Sequence, residues 1–262
     1  MGTLLHIAAS GSDGEAVEQA IAAANEAVDR VERLMSFHDP QSELSRVNRD
    51  AYRSPQQVHP WTYAVLRRAV RISAFSGGLF DITVAPLLVD AGFLPRHLEP
   101  PSHGGGWQDI QLLSDHTIQF TKPLMLDLGG IAKGFAIDQA IHALRRAGCT
   151  QGVVNAGGDL RRFGHTSHIV HLRRADWLVP VAELVCGAIA TSGPNVPQID
   201  SLAQPIGCII DPIRGEQWKE GVSVMVAAPS CVIADALTKV AALAGPACQP
   251  VLARFGAKGM LV

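Results

Sequence analysis

Apolar residues recur at every third or fourth position in four stretches of the chain, which is the spacing of amphipathic helices. The clearest stretch carries Val17, Ile21, Ala24, Val28, Val31 and Met35. Asp13 precedes it as a candidate N-cap residue. The same spacing predicts helices over about residues 61–75, over GIAKGFAIDQAIHALRRAG with Gly148 just past its end, and over about 230–244. Between the first two helices, FHDPQSELSRVN contains an Asp-Pro pair and predicts a loop.

Short apolar segments bounded by glycine or polar residues predict strands between these helices. They are the N-terminal segment MGTLLHIAAS, a hairpin in IQLLSDHTIQF around Ser114-Asp115, LMLDL, GVVNAGGDL with its glycine turn, HIVHL, GAIATSG, GCIID and VSVMVAA. Long helices and short strands do not alternate strictly, so the chain predicts an α+β fold over 1–262 as one domain. The Gly/Pro-rich stretch 95–106 predicts a mobile loop or a lobe boundary.

Composition restricts the function classes. The chain has 262 residues, of which 47% are hydrophobic and 18% charged, as in a compact folded protein. A net charge of −2 argues against binding to nucleic acid or to an anionic membrane. No apolar run reaches the roughly 18 residues of a membrane span. The N-terminus has no signal-peptide pattern, and the five cysteines show no CxxC spacing. These features predict a cytoplasmic protein with free thiols, although an exported protein trimmed of its leader would look the same.

The stretch LDLGGIAKG predicts a strand that gives way to a helix through a glycine pair. Gly129 and Gly130 would let backbone amides approach a ligand, and the helix N-terminus favours an anion. Lys133 adds a full positive charge, and Asp127 offers an acceptor for a sugar or adenine group, or a place near a metal. These residues would suit a phosphate site. From this stretch alone, however, a tight strand-to-helix turn with a surface lysine is the favoured interpretation, because neither GxGxxG nor a Walker loop is present.

The polar side of the last predicted helix carries Asp235, Thr238 and Lys239, opposite an apolar stripe of Ile233, Leu237, Val240 and Ala244. An acid, a hydroxyl and an amine on one face would ligate a cation or imitate one. The alternative is an ordinary solvated face with an acid near the helix N-terminus.

Eight stretches, taken in order, are similar to the motifs of one family. They are MGT at the N-terminus, MSFHDPQSELSRVN at 35–48, SGGLFDITVAPL at 76–87, LDLGGIAKGFAID, VVNAGGDL, AIATSG, IIDPIRG and VMVAAPSCVIADAL. Each is weak by itself, but eight in order over nearly the whole chain are specific. On these residues the chain resembles the ApbE family, the FAD:protein FMN transferases.

The resemblance implies an α+β fold in two lobes, with mixed or antiparallel sheets and a flavin between the lobes. It implies FAD as the donor substrate and Mg²⁺ as the metal. The reaction would move FMN to a Thr or Ser hydroxyl of a target flavoprotein and release AMP. By position, the FAD site would be lined by Met1, His38, Leu79, Phe80, Asp81, Asp127 and Lys133. The metal ligands would be the carbonyl of Gly130, the side chain of Asp235 and Thr238.

Two positions depart from the family pattern. Cys208 stands where a histidine is usual, as a candidate base for the acceptor hydroxyl, and a thiol is mostly protonated at neutral pH. Lys239 stands where a Thr or Ser is usual at the metal, and it would repel a cation or replace its charge. Because the nucleotide-binding stretches are retained, we still expect FMN transfer, with Asp235 and Cys208 as the catalytic residues. The alternatives are flavin binding with little or no transfer, and hydrolysis of FAD.

Overall fold

The computed structural model describes residues 3–101, 104–174, 177–193, 209–218 and 223–261. The helices of these residues are α1 (Gly14–Met35), α2 (Glu43–Asp50), α3 (Pro60–Phe75), α4 (Ala85–Asp90), α5 (Ala132–Arg146), α6 (Cys231–Ala244) and α7 (Gln249–Arg254). The strands are β1 (Leu5–Ser10), β2 (Gln56–Gln57), β3 (Ile110–Leu112), β4 (Thr117–Phe120), β5 (Gln151–Ala156), β6 (Asp159–Phe163), β7 (His168–Arg174), β8 (Trp177–Leu184), β9 (Gly187–Ser192), β10 (Val224–Ala228) and β11 (Lys258–Leu261). Short 3₁₀ turns cover Ile82–Val84, Trp107–Asp109 and Gly245–Cys248.

The described strands form three sheets. Six strands make the largest sheet, in the order β1-β5-β6-β9-β10-β11, while β2-β4-β3 and the hairpin β7-β8 form smaller ones. All neighbouring strands named here pair antiparallel. Helices packed on antiparallel sheets confirm the predicted α+β class.

The helices α5 and α6 pack on the six-stranded sheet. α5 packs on β5 and β6, α6 packs on β9 and β10, and α1 lies along α5. The predicted apolar stripe of α1 is confirmed, because Ala24, Val28, Val31 and Met35 are buried. Asp13 is the N-cap and accepts from the Glu15 amide. These contacts place the first turns of α5 and α6 side by side.

The predicted loop over FHDPQSELSRVN is only partly correct, because its second half forms α2. Ser42 caps this helix by accepting a hydrogen bond from the amide of Ser45 at 3.1 Å. Leu44 and Val47 are fully buried and anchor it in the core. Eight residues offer too few apolar positions for a periodic signal, and the Ser cap is the local feature that marks the helix start.

The predicted strand LMLDL is wrong, because residues 124–128 do not join a sheet. The amide and carbonyl of Leu126 pair instead with the side-chain amide of Asn48, at 2.8 and 2.9 Å. The amide of Asp127 donates to the carbonyl of Ile82 at 2.8 Å. The segment is thus held between α2 and the turn at 82–84, and this attachment positions Asp127.

The C-terminal region differs in one respect from the prediction, because α7 and β11 follow the helix expected to be last. Within Cys231–Arg254, an 18-residue window has a mean hydropathy of 1.5 and is by length and composition apolar enough to cross a membrane, but 61% of that window is buried in this fold. A buried core helix of a folded protein has this composition too. The expected lack of a membrane span stays a prediction. Part of the GCIID segment and residues 102–103 of the Gly/Pro-rich stretch lie outside the described residues.

Candidate active site

The first turn of α5 packs directly against α6 at a glycine. A Cβ on Gly134 would collide with the carbonyl oxygen of Cys231 and would lie 2.8 Å from the Cβ of Asp235. The amide of Gly134 donates a hydrogen bond to Oδ2 of Asp235 at 2.9 Å. The last glycine of LDLGGIAKG therefore allows two helices, rather than a ligand, to approach closely.

The start of α6 is fixed by a buried acid on α5. Oδ1 of Asp138 accepts from the amide of Cys231 at 2.9 Å, and Oδ2 accepts from the amide of Val232 at 3.0 Å. Arg161 on β6 completes the arrangement with a 2.7 Å ion pair to the same carboxylate. A carboxylate at a helix N-terminus satisfies amides that have no partner within the helix. This contact fixes the start of the helix that carries Asp235.

Asp235 is held between two helices and a lysine. Its side chain is 1% exposed. Oδ1 lies 2.5 Å from Nζ of Lys239, which also donates to the Asp235 carbonyl at 3.0 Å. Burial alone would raise the pKa of Asp235, but the charges of Lys239 and Lys133 outweigh burial and lower it below its usual value. Asp235 is therefore an ionised, cation-paired carboxylate.

Thr238 lies behind this pair and not on a solvated surface. Its hydroxyl donates to the carbonyl of Asp235 at 2.7 Å and lies 2.7 Å from the hydroxyl of Ser192 at the end of β9. Thr238 is fully buried. The interpretation of Asp235, Thr238 and Lys239 as an ordinary solvated face is thus wrong.

Lys133, in the first turn of α5, forms an ion pair with Asp159 at the start of β6. The carboxylate of Asp159 is 1% exposed and also accepts from the amide of Thr191 at 3.0 Å. Burial lowers the pKa of Lys133, the charge of Asp235 raises it, and the charge of Lys239 lowers it. Two lysines and two aspartates thus influence one another where α5, α6, β6 and β9 meet.

The turn after α3 forms a wall of a neighbouring cleft. Gly77 and Gly78 have φ values of 63° and 85°, a conformation that favours glycine, and they reverse the chain. Phe80 is buried beyond them. Oδ1 of Asp81 accepts from the amide and the hydroxyl of Thr83, both at 2.8 Å. Burial raises the pKa of Asp81, although these hydrogen bonds act against it.

Asp127 lies beside this segment, because its amide donates to the carbonyl of Ile82. Its Oδ2 accepts from the amide of Gly129 at 3.1 Å. Burial raises the pKa of Asp127, while the Gly129 amide and the charges of His38 and Lys239 act in the other direction. His38 is itself exposed. The Asp127 carboxylate thus stabilises the backbone of the glycine-rich turn that follows it.

These segments enclose a cleft at the side of α6. The lining residues come from the 79–88 turn, the glycine turn, a segment near 210 and α6: Leu79, Phe80, Asp81, Ile82, Val84, Leu88, Asp127, Gly130, Ile209, Ile210, Pro212 and Lys239. A Cβ on Gly130 would lie 3.4 Å from Cε of Lys239 and 3.5 Å from the ring of Phe80. The cleft therefore has apolar walls, two carboxylates and one ammonium group, which suits an amphipathic ligand with an anionic part.

A comparison with known families decides the affiliation of the chain. The ApbE family model matches residues 1–260. The chain belongs to the ApbE family. An FAD:protein FMN transferase of Chlamydia trachomatis is 29% identical over an alignment of 243 residues, and the match covers 85% of this chain and 75% of the relative.

Two solved ApbE structures are similar over the whole fold. The flavin transferase ApbE from Vibrio cholerae has a TM-score of 0.80 and 25% identity, and the match covers 100% of this chain and 90% of that one. The ApbE protein of Thermotoga maritima has a TM-score of 0.79 and 25% identity, over 99% of this chain and 93% of that one. The described fold is thus the ApbE fold.

Most of the site residues expected from the ApbE resemblance lie together. Leu79, Phe80, Asp81, Asp127 and Gly130 line the cleft. Lys133, Asp235 and Thr238 lie beside it, with their polar atoms engaged by Asp159, Lys239, Ser192 and backbone groups. Met1 and Cys208 lie outside the described residues.

Two features of the site were not predicted as parts of it. Asp159 lies in the VVNAGGDL stretch but is not among the expected site residues, because its pairing with Lys133 depends on a contact between β6 and α5 that has no sequence pattern. The apolar wall of Ile82, Leu88, Ile209 and Ile210 was also missed. Aliphatic residues in short segments look like core positions, so no local signal would have found them.

Proposed function

We propose that this protein is an FAD:protein FMN transferase, which moves FMN from FAD to a Thr or Ser hydroxyl of a target flavoprotein. The observation that carries the proposal is the cleft of an ApbE fold that presents a lysine, a glycine turn and two acids to one ligand. The Chlamydia trachomatis relative, which matches most of the chain, is named FAD:protein FMN transferase. The similar Vibrio cholerae protein is named a flavin transferase. The apolar wall suits a flavin ring, and the ammonium group suits a diphosphate.

The reaction exchanges one phosphorus–oxygen bond for another. The acceptor hydroxyl oxygen attacks the phosphorus on the riboflavin side of the FAD diphosphate. The bond from that phosphorus to the bridging oxygen breaks, and the bridging oxygen leaves with AMP. The hydroxyl proton passes to a base or to water. Catalysis of such a transfer depends on alignment and on neutralising charge at the phosphoryl oxygens.

The residues of this chain divide these tasks. Lys239 contacts the diphosphate and offsets the charge that develops on the leaving AMP. Lys133 adds a second positive charge. Its ammonium is paired with Asp159, so it acts on the diphosphate through its charge and not by direct contact. Asp81 and Asp127 accept hydrogen bonds from sugar hydroxyls or ring N–H groups of FAD. Cys208 directly precedes Ile209, which lines the cleft, and it would receive the proton only as a thiolate.

The Mg²⁺ that the resemblance implies does not fit the residues as placed. Mg²⁺ requires about six oxygen ligands at about 2.0–2.1 Å. Both oxygens of Asp235 are engaged, one by Lys239 and one by the Gly134 amide, and the Thr238 hydroxyl bonds Ser192 and a carbonyl. Among the described residues, no cluster of three or more His, Cys, Asp or Glu side chains is arranged to hold a metal. No step of the proposed reaction is therefore routed through a metal.

The proposal is tested by incubating the protein with FAD and a flavoprotein fragment that bears an acceptor Thr. Mass spectrometry should show covalently attached FMN, and chromatography should show one AMP for each adduct. Lys258→Ala, in the edge strand β11 and exposed, is the matched control for loss of a lysine and should transfer normally. Intact FAD and no adduct, with and without Mg²⁺, would contradict the proposal.

Flavin binding without transfer is the second candidate, and the Lys239–Asp235 pair favours it because Asp235 is not free to hold a metal. It predicts that FAD binds and remains intact. Hydrolysis of FAD would be recognised separately, by AMP release in the absence of any acceptor protein.

A further inference from the structure

We propose that the ammonium group of Lys239 replaces a divalent cation at Asp235, so that the protein binds the diphosphate of its ligand directly and without Mg²⁺. The identity of the ligand rests on the proposed function, whereas the exclusion of the metal rests on the geometry of the apo site alone.

The position of the ammonium is fixed by its own helix. Lys239 follows Asp235 by four residues on α6, so both side chains project from the same face. Nζ donates to Oδ1 of Asp235 at 2.5 Å and to the Asp235 carbonyl at 3.0 Å. A lysine ammonium has three donors, so two hold it in place and one remains for a ligand.

The Lys239 side chain also reaches the cleft. It lines the cleft together with Asp127 and Gly130, and it is 21% exposed. Its aliphatic stem packs beside Gly130, where an added Cβ would lie 3.4 Å from Cε. The glycine turn thus leaves room for the lysine stem, and the charged end remains accessible to an anion in the cleft.

The charges of the cluster already balance without a metal. Lys133 and Lys239 face Asp159 and Asp235, and each lysine forms an ion pair with one of the two acids. A divalent ion at Asp235 would lie within a few ångströms of the Lys239 ammonium, and like charges at that distance repel strongly in a partly buried site. The Lys239 ammonium, held at Asp235 by these two hydrogen bonds, therefore excludes the metal.

The exclusion is tested with Mn²⁺ alone, which stands in for Mg²⁺ and is detected by electron paramagnetic resonance on the apo protein. Wild type should show no Mn²⁺ bound at Asp235, and Lys239→Thr should gain a site whose affinity exceeds that of wild type by at least about tenfold, the equivalent of about 1.4 kcal/mol. The double variant Asp235→Asn/Lys239→Thr should lose this site, and Lys258→Thr should behave as wild type. Equal Mn²⁺ affinity in wild type and Lys239→Thr would overturn the inference, whether both bind or neither does.

A second measurement needs no variant at Lys239. The affinity of wild type for FAD is measured by calorimetry in Mg²⁺ and in EDTA, and the two dissociation constants should agree. If Mg²⁺ tightens binding by about tenfold or more, the inference fails. If FAD binds in neither buffer, the proposed function fails, and the Mn²⁺ titration still decides the question of the metal.

Discussion

The backbone amide of Gly134 donates a hydrogen bond to the carboxylate of Asp235, a residue 101 positions later in the chain, at 2.9 Å. This bond joins the first turn of α5 to α6. It aligns the LDLGGIAKG turn with Lys239, because the lysine is held by the same carboxylate. The geometry of the site therefore depends on the packing of α5 against α6 as well as on the conformation of the turns.

Gly134→Ala is expected to separate these helices. The new Cβ would meet the Cys231 carbonyl and lie 2.8 Å from the Cβ of Asp235, and overpacking of this kind costs about 1–3 kcal/mol. Urea unfolding should show the loss. Gly14→Ala is the control, since an added Cβ at the start of α1 meets nothing within 4 Å. Equal stability of both variants and wild type would contradict the packing argument.

Asp138→Ala is expected to destabilise the protein by about 3–5 kcal/mol. The change leaves Arg161 without its buried partner, and it leaves the amides at the start of α6 without a hydrogen-bond acceptor. Asp90→Ala removes an exposed ion pair to Arg96 and should cost less than about 1 kcal/mol. Thermal or urea unfolding measures both. Similar losses in the two variants would show that Asp138 does not hold the helix start.

Asp81→Asn is expected to gain stability relative to wild type as the pH rises. Burial raises the folded-state pKa of Asp81 above 3.8, so this acid favours folding most below its unfolded pKa and loses that contribution as the pH rises through the raised value. The difference in Tm should move toward the variant as the pH rises above 3.8.

Asp109→Asn provides the opposite sign for comparison. The hydrogen bond from Thr121 lowers the pKa of Asp109, so its contribution to folding is present above 3.8 and is lost as the pH falls. The Tm difference for this variant should therefore move toward wild type as the pH rises. Parallel trends in the two variants would contradict the assigned directions.

Lys133→Met is expected to slow FMN transfer by at least about tenfold, because a positive charge beside the diphosphate is lost. It also leaves Asp159 buried without its partner. The double variant Lys133→Met/Asp159→Asn removes both charges and keeps an acceptor for the Thr191 amide. It should recover stability in thermal unfolding without recovering the rate of AMP release. Recovery of the rate would make Lys133 a purely structural residue.

The sequence predicted the elements whose signals are local. The periodic stripe of α1 and its Asp13 cap, the hairpin around Ser114-Asp115 and the glycine turn after β5 are all confirmed. The loop prediction fails at α2 because this helix is short, and the strand prediction fails at LMLDL because apolar residues in a buried irregular segment look like those of a strand.

The site was predictable in part from the ApbE resemblance. Asp81, Asp127 and Gly130 lie in stretches that resemble ApbE motifs, and they line one cleft. The pairing of Lys133 with Asp159 joins elements distant in sequence. The burial of Asp235 and Thr238 also depends on a neighbouring helix and strand. Spacing along one helix shows which residues share a face, but not whether another element covers it.

The most direct measurement for the account as a whole is a crystal structure of the protein with FAD bound. The account predicts that the diphosphate lies in the cleft within hydrogen-bonding distance of Nζ of Lys239, beside Gly130, with the flavin ring against the apolar wall. Density for the dinucleotide elsewhere on the surface, or a diphosphate remote from both α6 and the 127–133 turn, would contradict it.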